Sequence, residues 1–324
     1  MRILIAESEG FAPAALQRLR ERAVVVEADV SRAGLLAAMG SVDALWVRLR
    51  HQIDEEVLSA APRLRVIVTN TTGVNHIDLD AARRRGIKVI SLRGEVELLK
   101  TVRGTAELTL GLVLALVRHL PAATAHVREG GWDRYPFKGH DLYEKTAGIV
   151  GFGRLGQIVA SYLRALGMRV IATTRDGDRT KRVEGVTMVR LEELLGQADL
   201  VSLHVDLNPE TRGMMGVRQF AAMKRGAWLV NTARGEVVDE AALLDALKSG
   251  TLAGAALDVV AGEPMVDVRN RPLLQYAATH DNLIVTPHIG GYTFESLART
   301  EQYLADKLLD FLDDQARVKT HLTA

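Results

Sequence analysis

Short apolar runs alternate with amphipathic stretches through the first hundred residues. Each run is too short for a helix and suits a buried strand, whereas the stretches between them repeat apolar side chains at helical spacing. The pattern predicts strands at Ile3–Ala6, Ala23–Val26, Ala44–Val47, Arg65–Thr69 and Ile87–Ile90. It predicts helices at Ala12–Arg20, Ser31–Met39, Asp54–Ala60 and Leu79–Arg85. Strands separated by helices indicate a parallel sheet with right-handed crossovers.

A second alternating pattern begins near residue 146. A strand at Ala147–Val150, a helix from Arg154 and a strand at Met168–Thr173 open this pattern. Further strands are predicted at Val186–Val189, Leu200–His204, Trp228–Asn231, Ala255–Asp258 and Leu283–Thr286. Helices lie between them, most clearly at Asp239–Lys248, and residues 292 to 313 form a last helical run. The chain therefore reads as two doubly wound α/β domains.

The stretch Thr105–His119 separates the two patterns. It is apolar almost all round, and Pro121 limits it, so it predicts a helix buried on more than one side. This helix could lie at the domain boundary, in a subunit interface or in the core of the second domain. The segment Val127–Lys145 is rich in glycine and charge and is predicted to be a loop.

A glycine motif connects the first strand of the second pattern to its helix. Gly151, Gly153 and Gly156 form G-x-G-x-x-G between the strand and the helix. Alone the triplet is a weak signal, but in this context it is typical of a dinucleotide site. The first glycine permits a tight turn, the second lets a pyrophosphate approach the backbone, and the third lets helix and strand pack closely. The helix N-terminus then offers free N–H groups to the phosphates.

Composition narrows the classes of function. The 324 residues suffice for two domains, and a formal net charge of +1 gives no bulk attraction to nucleic acid or membrane. The absence of cysteine excludes disulfides, thiolate nucleophiles and cysteine metal sites, and it fits a reducing cytoplasm. The opening MRILIAESEG resembles a strand more than a signal peptide, and Leu108–Val117 is too short to span a bilayer. We expect a cytoplasmic protein with a small-molecule partner and no metal.

Three polar side chains follow predicted strands in the second pattern. Arg234 lies in NTARGEVVDE, Glu263 in DVVAGEP and His288 in TPHIGG. Ligands of open parallel sheets bind beyond the carboxyl ends of the strands, so the three should converge on one crevice.

These residue types suit the reduction of a 2-keto acid. A guanidinium grips a carboxylate with two hydrogen bonds, and an imidazole gives or takes a proton near neutrality. A carboxylate beside the imidazole fixes its tautomer. Arg234 would hold the acid and polarise the ketone, and His288, oriented by Glu263, would supply the proton. Taken singly, a histidine after a strand is usually structural, and Arg234 could simply pair with an Asp or Glu. The joint placement of the three residues after a dinucleotide motif favours catalysis.

Several long motifs resemble the D-isomer-specific 2-hydroxyacid dehydrogenases, a family that includes glycerate, phosphoglycerate, glyoxylate/hydroxypyruvate and formate dehydrogenases. The resemblance extends over nearly the whole chain, and the motifs that carry it are VRLRHQIDEEVL, TTGVNHIDLDAARRRGI, TAELTLGLVLAL, GIVGFGRLG, NTARGEVVDEAALLDAL, ALDVVAGEP and TPHIGGYT. The resemblance implies a flavodoxin-like substrate domain at 1–98 plus 291–324 and a Rossmann cofactor domain at 99–290. It also implies a homodimer built on the cofactor domain.

The resemblance implies site residues as well. It gives Arg234, Glu263 and His288 as the catalytic set, and Arg48, Leu49, Thr72, Gly73, Arg234 and His288 as the substrate-binding set. It places an NAD(P) cofactor against Gly151, Gly153, Arg154, Leu155, Gly156, Thr174, Arg175, His204, Val205, Thr211, Thr232, Ala233, Asp258 and Gly290.

The sequence departs from the family pattern in ways that bear on ligands. NAD-dependent members commonly carry an acidic residue at the end of the second strand, where this chain has Thr174 followed by Arg175. We expect a preference for NADP(H); alternatively, Asp176 reaches the ribose and Arg175 is a surface charge. Arg48, Arg50, Arg93 and Arg103 would make the substrate entrance basic, which would suit a phosphorylated or dicarboxylic acid, unless they are ordinary solvated arginines.

Two functions remain in view. The leading hypothesis is an NAD(P)-dependent oxidoreductase that interconverts a small 2-keto acid and its D-2-hydroxy acid. The alternative is a dinucleotide-sensing regulator of the same fold, similar to the C-terminal-binding-protein corepressors. Formate dehydrogenase is disfavoured, because that enzyme carries glutamine where Glu263 stands. The chain ends soon after its last predicted helix, so no additional regulatory domain is expected.

Overall fold

The structure is a computed structural model that describes residues 1–175, 183–263, 267 and 269–322, with side chains described as far as residue 314. The chain divides into two compact units. The first comprises Met1–Val102 and Tyr292–Ala324, and the second comprises Arg103–Gly291.

The first unit is a five-stranded parallel sheet with strand order β2-β1-β3-β4-β5. Its strands are β1 (Arg2–Ile5), β2 (Val24–Glu27), β3 (Ala44–Val47), β4 (Val66–Thr69) and β5 (Lys88–Ile90). Its helices are α1 (Pro13–Arg20), α2 (Arg32–Ala38), α3 (Glu55–Ser59), α4 (Leu79–Arg84) and α5 (Val96–Lys100), and α13 (Phe294–Leu322) joins them. This strand order is that of flavodoxin-like folds.

The second unit is a seven-stranded parallel sheet with strand order β12-β11-β10-β9-β6-β7-β8. Its strands are β6 (Thr146–Val150), β7 (Arg169–Thr173), β8 (Val186–Met188), β9 (Leu200–Leu203), β10 (Ala227–Asn231), β11 (Leu252–Leu257) and β12 (Leu283–Val285). Its helices are α6 (Gly104–Val117), α7 (Leu120–Arg128), α8 (Arg154–Ala165), α9 (Leu191–Gln197), α10 (Val217–Ala222), α11 (Glu240–Lys248) and α12 (Pro272–Ala277). The order reverses at β6, as in a Rossmann fold.

Each sheet has a hydrophobic core on both faces. In the first unit one core contains Trp46 with Leu304 and Leu308 of α13, and the other contains Leu35, Leu45 and further aliphatic side chains. Two separate cores cover the faces of the second sheet. Burial on both sides explains why the strands are continuous apolar runs. The predicted fold class, two doubly wound parallel-sheet domains, is confirmed.

The long apolar helix α6 packs in a core of the second unit. Its buried side chains include Leu112, Val113 and Leu116, which share a core with Ile149 and Val159. This matches the interpretation of the stretch as a core helix of the second domain.

The loop prediction around Val127 is partly wrong. Helix α7 follows α6 almost directly, because His119 takes a left-handed conformation with φ 52° and turns the chain. Pro121 lies in the first turn of α7, where a proline breaks no hydrogen bond. A proline interpreted as the limit of one helix therefore starts the next one. Helix α5 was not predicted either, and it contains the predicted domain boundary at residue 98.

In the described part of the chain, no single helix is long and apolar enough to cross a membrane. Two consecutive helical segments, Val96–Val117 and Leu120–Arg128, have the length and apolar composition of a membrane span only when they are taken together, and a bend separates them.

Candidate active site

The glycine turn between β6 and α8 has the geometry of a phosphate cradle. Gly151 has φ 95°, and a Cβ atom there would lie 2.3 Å from the carbonyl oxygen of His204. A Cβ atom on Gly156 would lie 2.1 Å from the carbonyl oxygen of Gly151. At Gly153, by contrast, a Cβ atom would meet open space. Gly151 and Gly156 are thus required by the fold, and Gly153 leaves the approach to the helix N-terminus open for a ligand.

The cradle continues into the first turn of helix α8, which begins with Arg154 and Leu155. Gly153 precedes the helix and supplies no side-chain cap, which leaves the first N–H groups of α8 for an anion. Arg154 and Leu155 follow and are half-buried. Burial lowers the pKa of Arg154, and the nearby positive charge of Arg103 lowers it further. An anion bound here would relieve both effects, which fits a pyrophosphate.

The end of β7 holds Thr174 and Arg175. The hydroxyl of Thr174 is buried and has no hydrogen-bond partner among the described residues, so it is suited to bind a ligand oxygen. Arg175 is exposed and contacts Glu210 at 3.5 Å. Exposed ion pairs are weak, so this guanidinium remains accessible to an anion. Asp176, the alternative ribose ligand, lies outside the described residues.

Residues after β9 form another wall of the second unit. His204 Nε2 lies 2.8 Å from Ser202 Oγ, and His204 Nδ1 is buried without a partner in the described part of the chain. Val205 is half-buried, and a Cβ atom on Gly151 would lie 2.8 Å from it. Thr211 has a structural contact, because its hydroxyl donates to the carbonyl oxygen of Asp206 at 2.6 Å.

We expect the free energy of unfolding to fall between pH 6.5 and pH 4 partly because of His204. Burial lowers the pKa of His204 from 6.5 to about 4, so over this range the unfolded state binds a proton that the folded state does not. Stability is therefore lost as pH falls, by about 3 kcal/mol at most. Urea denaturation at a series of pH values should show a smaller loss for His204→Gln. Equal losses in both proteins would contradict this assignment.

Arg234 follows β10 in a turn fixed by Asn231. The Asn231 side chain donates to the carbonyl oxygen of Arg234 at 2.9 Å and accepts from the N–H of Ala233 at 3.0 Å. Thr232 is buried, and its hydroxyl lies 2.9 Å from that of Thr109. The turn therefore has little freedom to move Arg234.

The guanidinium of Arg234 is half-buried and lacks a close carboxylate. Its Nη1 donates to the carbonyl oxygen of Ala233 at 2.7 Å, and it forms no ion pair within the described residues. Burial lowers the pKa of Arg234, and the charges of Glu263, Asp206 and Glu236 oppose this. A half-buried cation near a carboxylate that it does not pair with is suited to an anionic ligand.

Glu263 and His288 form a hydrogen-bonded pair. Glu263 Oε2 bonds to Nδ1 of His288, and its Oε1 accepts from the N–H of Val260 at 2.7 Å. The bond fixes the Nδ1–H tautomer of a neutral ring and directs Nε2 away from the carboxylate. Gly235, the residue after Arg234, packs on the backbone of Val260, whose N–H donates to Glu263, so the second unit brings the Glu263–His288 pair close to the turn that carries Arg234.

Asp258 holds the loop that carries His288. His288 has a left-handed backbone with φ 54°, which is uncommon outside glycine. The carboxylate of Asp258 accepts from Thr286 Oγ1 at 2.6 Å and from the N–H groups of Ile289 and Gly290, each at 2.8 Å. Burial raises the pKa of Asp258, and these bonds oppose the rise. Asp258 thus stabilises the strained turn of His288.

The four remaining predicted residues belong to the first unit. Arg48 and Leu49 follow β3, and Thr72 and Gly73 lie in the loop after β4. The nearly buried carboxylate of Glu7 accepts the N–H groups of Arg48, Leu49 and Arg50 at 2.8, 3.3 and 3.2 Å. Glu7 was not predicted as a site residue, although it follows the end of strand β1 just as Arg234 follows the end of β10.

The arginines expected to form a basic entrance differ in their surroundings. Arg48 pairs with Glu301 at 2.6 Å, and Arg50 pairs with Asp29 at 3.3 Å. Burial raises the pKa of Glu301, with Arg48 opposing the rise. Arg93 and Arg103 are exposed. The charge of Arg48 in particular is balanced within its own unit.

Comparison with known proteins gives consistent matches. A family model described as D-isomer specific 2-hydroxyacid dehydrogenase, NAD binding domain, matches residues 110–290. D-3-phosphoglycerate dehydrogenase from Mycobacterium tuberculosis is 37% identical over 308 residues, which are 94% of this chain and 56% of that protein. The chain thus spans about half the length of the curated relatives it matches.

Solved structures match over nearly the full length. A protein from Thermus thermophilus shares 38% identity with a TM-score of 0.84, and the match covers 97% of each chain. D-lactate dehydrogenase from Aquifex aeolicus, solved with NAD and lactic acid, shares 28% identity with a TM-score of 0.83 over 98% of this chain and 97% of that one.

Proposed function

The chain belongs to the family of D-isomer-specific 2-hydroxyacid dehydrogenases, and on this premise we propose that it interconverts a small 2-keto acid and its D-2-hydroxy acid with NAD(P). The observation that carries the proposal is the hydrogen-bonded Glu263–His288 pair, whose loop packs directly on Gly235 beside Arg234. A hydrogen-bonded acid–base pair beside a half-buried guanidinium suits a carbonyl next to a carboxylate.

The cradle and its surroundings fit a nicotinamide dinucleotide. Gly153 and the uncapped start of α8 would hold the pyrophosphate, and the hydroxyl of Thr174, which has no partner among the described residues, would meet the ribose. Bound there, the cofactor would supply or accept a hydride at C2 of the substrate.

The chain's own residues account for the remaining steps. Arg234 binds the carboxylate and polarises the carbonyl oxygen, so that negative charge developing on that oxygen is stabilised. His288 donates a proton from Nε2 to the same oxygen during reduction and removes it during oxidation. Glu263 holds the ring through Nδ1 and stabilises its positive charge while Nε2 is protonated.

The first test is reduction of a panel of keto acids by purified protein with NADPH or NADH. The panel contains glyoxylate, hydroxypyruvate, phenylpyruvate, 2-ketoglutarate and phosphohydroxypyruvate, and nicotinamide absorbance reports turnover. Turnover that is lost in His288→Ala would support the proposal. Tight dinucleotide binding without turnover on any member would favour the regulatory function instead.

We propose further that NADP(H) is preferred over NAD(H). The support is a hydroxyl at Thr174 where an acidic residue would bind the ribose hydroxyls, with the exposed Arg175 beside it to receive a 2′-phosphate. The weak contact of Arg175 with Glu210 would be exchanged for a stronger bond to phosphate.

We expect Thr174→Asp to move the preference from NADPH to NADH. The new carboxylate would repel the 2′-phosphate and accept hydrogen bonds from the ribose hydroxyls, so the ratio of kcat/KM values should change by about 100-fold. Thr187→Asp, on the neighbouring strand β8, is the control and should leave the ratio unchanged. A wild-type protein that already prefers NADH by a wide margin would overturn the proposal.

We also propose a homodimer that buries the α7 surface. No residue of α7 is buried, and Leu120 and Val127 are exposed on it. Trp132 and Tyr135 in the following segment are 91% and 80% exposed. Exposed large apolar side chains that lie this close together in the sequence favour a protein interface. Sedimentation equilibrium should give twice the chain mass of 35.4 kDa, and a monomeric mass would contradict the proposal.

A further inference from the structure

The loop that carries Glu263 is anchored by acidic side chains, two of which come from other parts of the second unit. It follows β11 and has no helix or strand of its own between residues 258 and 263. Three consecutive N–H groups donate to three different glutamates: Val260 to Glu263 at 2.7 Å, Ala261 to Glu240 at 2.8 Å and Gly262 to Glu236 at 3.3 Å. An irregular loop takes its shape from such bonds.

Both backbone polar groups of Ala261 are held by side chains. Its N–H donates to Glu240 Oε1, its carbonyl oxygen accepts from Arg271 Nη1, and Arg271 Nη2 bonds to Glu240 Oε2. The three contacts close a ring, which we name the Ala261 clamp. The side chains of Arg271 and Glu240 are only 23% and 19% exposed, so the ion pair is screened less than a surface pair.

The clamped loop packs against the residue beside Arg234. A Cβ atom on Gly235 would lie 2.0 Å from the carbonyl carbon of Val260 and 2.2 Å from the nitrogen of Ala261. The loop backbone therefore lies on Gly235 with no intervening side chain. A shift of the loop would move Glu263 relative to both His288 and Arg234.

We infer that Glu240 and Arg271 are positioning residues for the acid–base pair, acting through the clamped backbone of Ala261. The inference rests on the proposed function for its kinetic consequences, because proton transfer depends on how Glu263 orients His288. Neither residue was singled out in the sequence. Arg271 lies 31 positions from Glu240, and it directly precedes α12.

The kinetic test compares Arg271→Met, Glu240→Gln, the double variant and Arg271→Lys. We expect each of the first two to lower kcat by about 10- to 100-fold with dinucleotide Kd unchanged, because small displacements of catalytic groups are costly. The double variant should lose no more than the worse single variant, since both changes break one ring. Arg271→Lys should recover to within about fivefold of wild type, because an ammonium group reaches one of the two acceptors.

A second readout does not need a substrate. The Nδ1 proton of His288 bonds to a carboxylate and should give a low-field proton resonance, identified by its loss in His288→Gln. We expect Arg271→Met and Glu240→Gln to shift or broaden it. Lys224→Met is the matched control, because it breaks the Lys224–Asp199 pair of the same unit and should leave the resonance and kcat unchanged.

The two readouts separate the clamp from the proposed function. Wild-type protein without turnover would refute the function, while the resonance would still decide whether the clamp positions the pair. An unchanged resonance and unchanged kcat in the folded Arg271→Met and Glu240→Gln variants would overturn the inference. So would equal changes in Lys224→Met, since these would reflect a general loss of stability.

Discussion

His288→Gln is expected to lower kcat for keto-acid reduction by about 10³-fold, because general acid catalysis typically contributes 10²- to 10⁴-fold. Glutamine keeps a polar group of similar reach that can bond to Glu263, but it offers no proton with suitable acidity. The keto acid must then take its proton from water. His288 bonds to Glu263 through Nδ1, and its proposed role is proton transfer, so the loss should fall on the chemical step. The dissociation constant of the dinucleotide should stay unchanged.

The control for this variant is His280→Gln. His280 stacks on Tyr276, with ring centroids 3.8 Å apart, and lies just before β12, the strand that His288 follows. We expect its kcat to equal that of the wild type within about twofold, since among the described residues its ring contacts Tyr276 and Thr279 rather than a proposed site residue. A His288→Gln protein that keeps a tenth or more of wild-type kcat would remove His288 from the catalytic set.

The sheets and the glycine turn could be predicted because each depends on local signals. Burial on both faces makes a strand such as β3 a continuous apolar run, which is visible without any partner strand. Gly151 and Gly156 mark positions where a Cβ atom would collide with backbone, so the motif and the geometry agree. Strand-end placement likewise brought Arg234, Glu263 and His288 together, because parallel strands end at one edge.

The anchoring groups could not be predicted because their contacts join distant parts of the chain. Arg48 pairs with Glu301 across 253 positions, and nothing near either residue indicates the other. In the sequence, Arg48 suggested a positive charge available to bind the substrate. In the structure, it belongs to a largely buried ion pair. The start of α7 was missed for a different reason, since Pro121 is compatible with both the end and the beginning of a helix.

The anchors share one physical principle. Glu7 after β1, Asp258 after β11 and Glu240 at the start of α11 each accept loop N–H groups with a carboxylate that is largely shielded from water. A charged acceptor strengthens such bonds and satisfies backbone groups that the loops cannot pair internally. Irregular loops that carry proposed site residues thereby become rigid, which catalysis by orientation requires.

Arg234→Lys is expected to lower kcat/KM for the keto acid by about 10³-fold, even though the positive charge is kept. A guanidinium binds a carboxylate and a carbonyl oxygen through a planar pair of donors, whereas an ammonium group is a point charge that reaches one of them well. The half-buried setting of Arg234 makes a misplaced charge costly. We expect both a higher KM for the keto acid and a lower kcat.

Steady-state kinetics with varied keto acid and saturating dinucleotide would measure this effect, and Arg225→Lys provides the control. Arg225 is an exposed arginine just before β10, and its replacement should change neither constant. A raised KM with unchanged kcat would limit Arg234 to binding the carboxylate, because an interaction present equally in substrate and transition state affects KM alone. A fall in both constants of the reaction, kcat and kcat/KM, would assign Arg234 the second role of polarising the carbonyl. Wild-type kinetics in Arg234→Lys would exclude Arg234 from both roles.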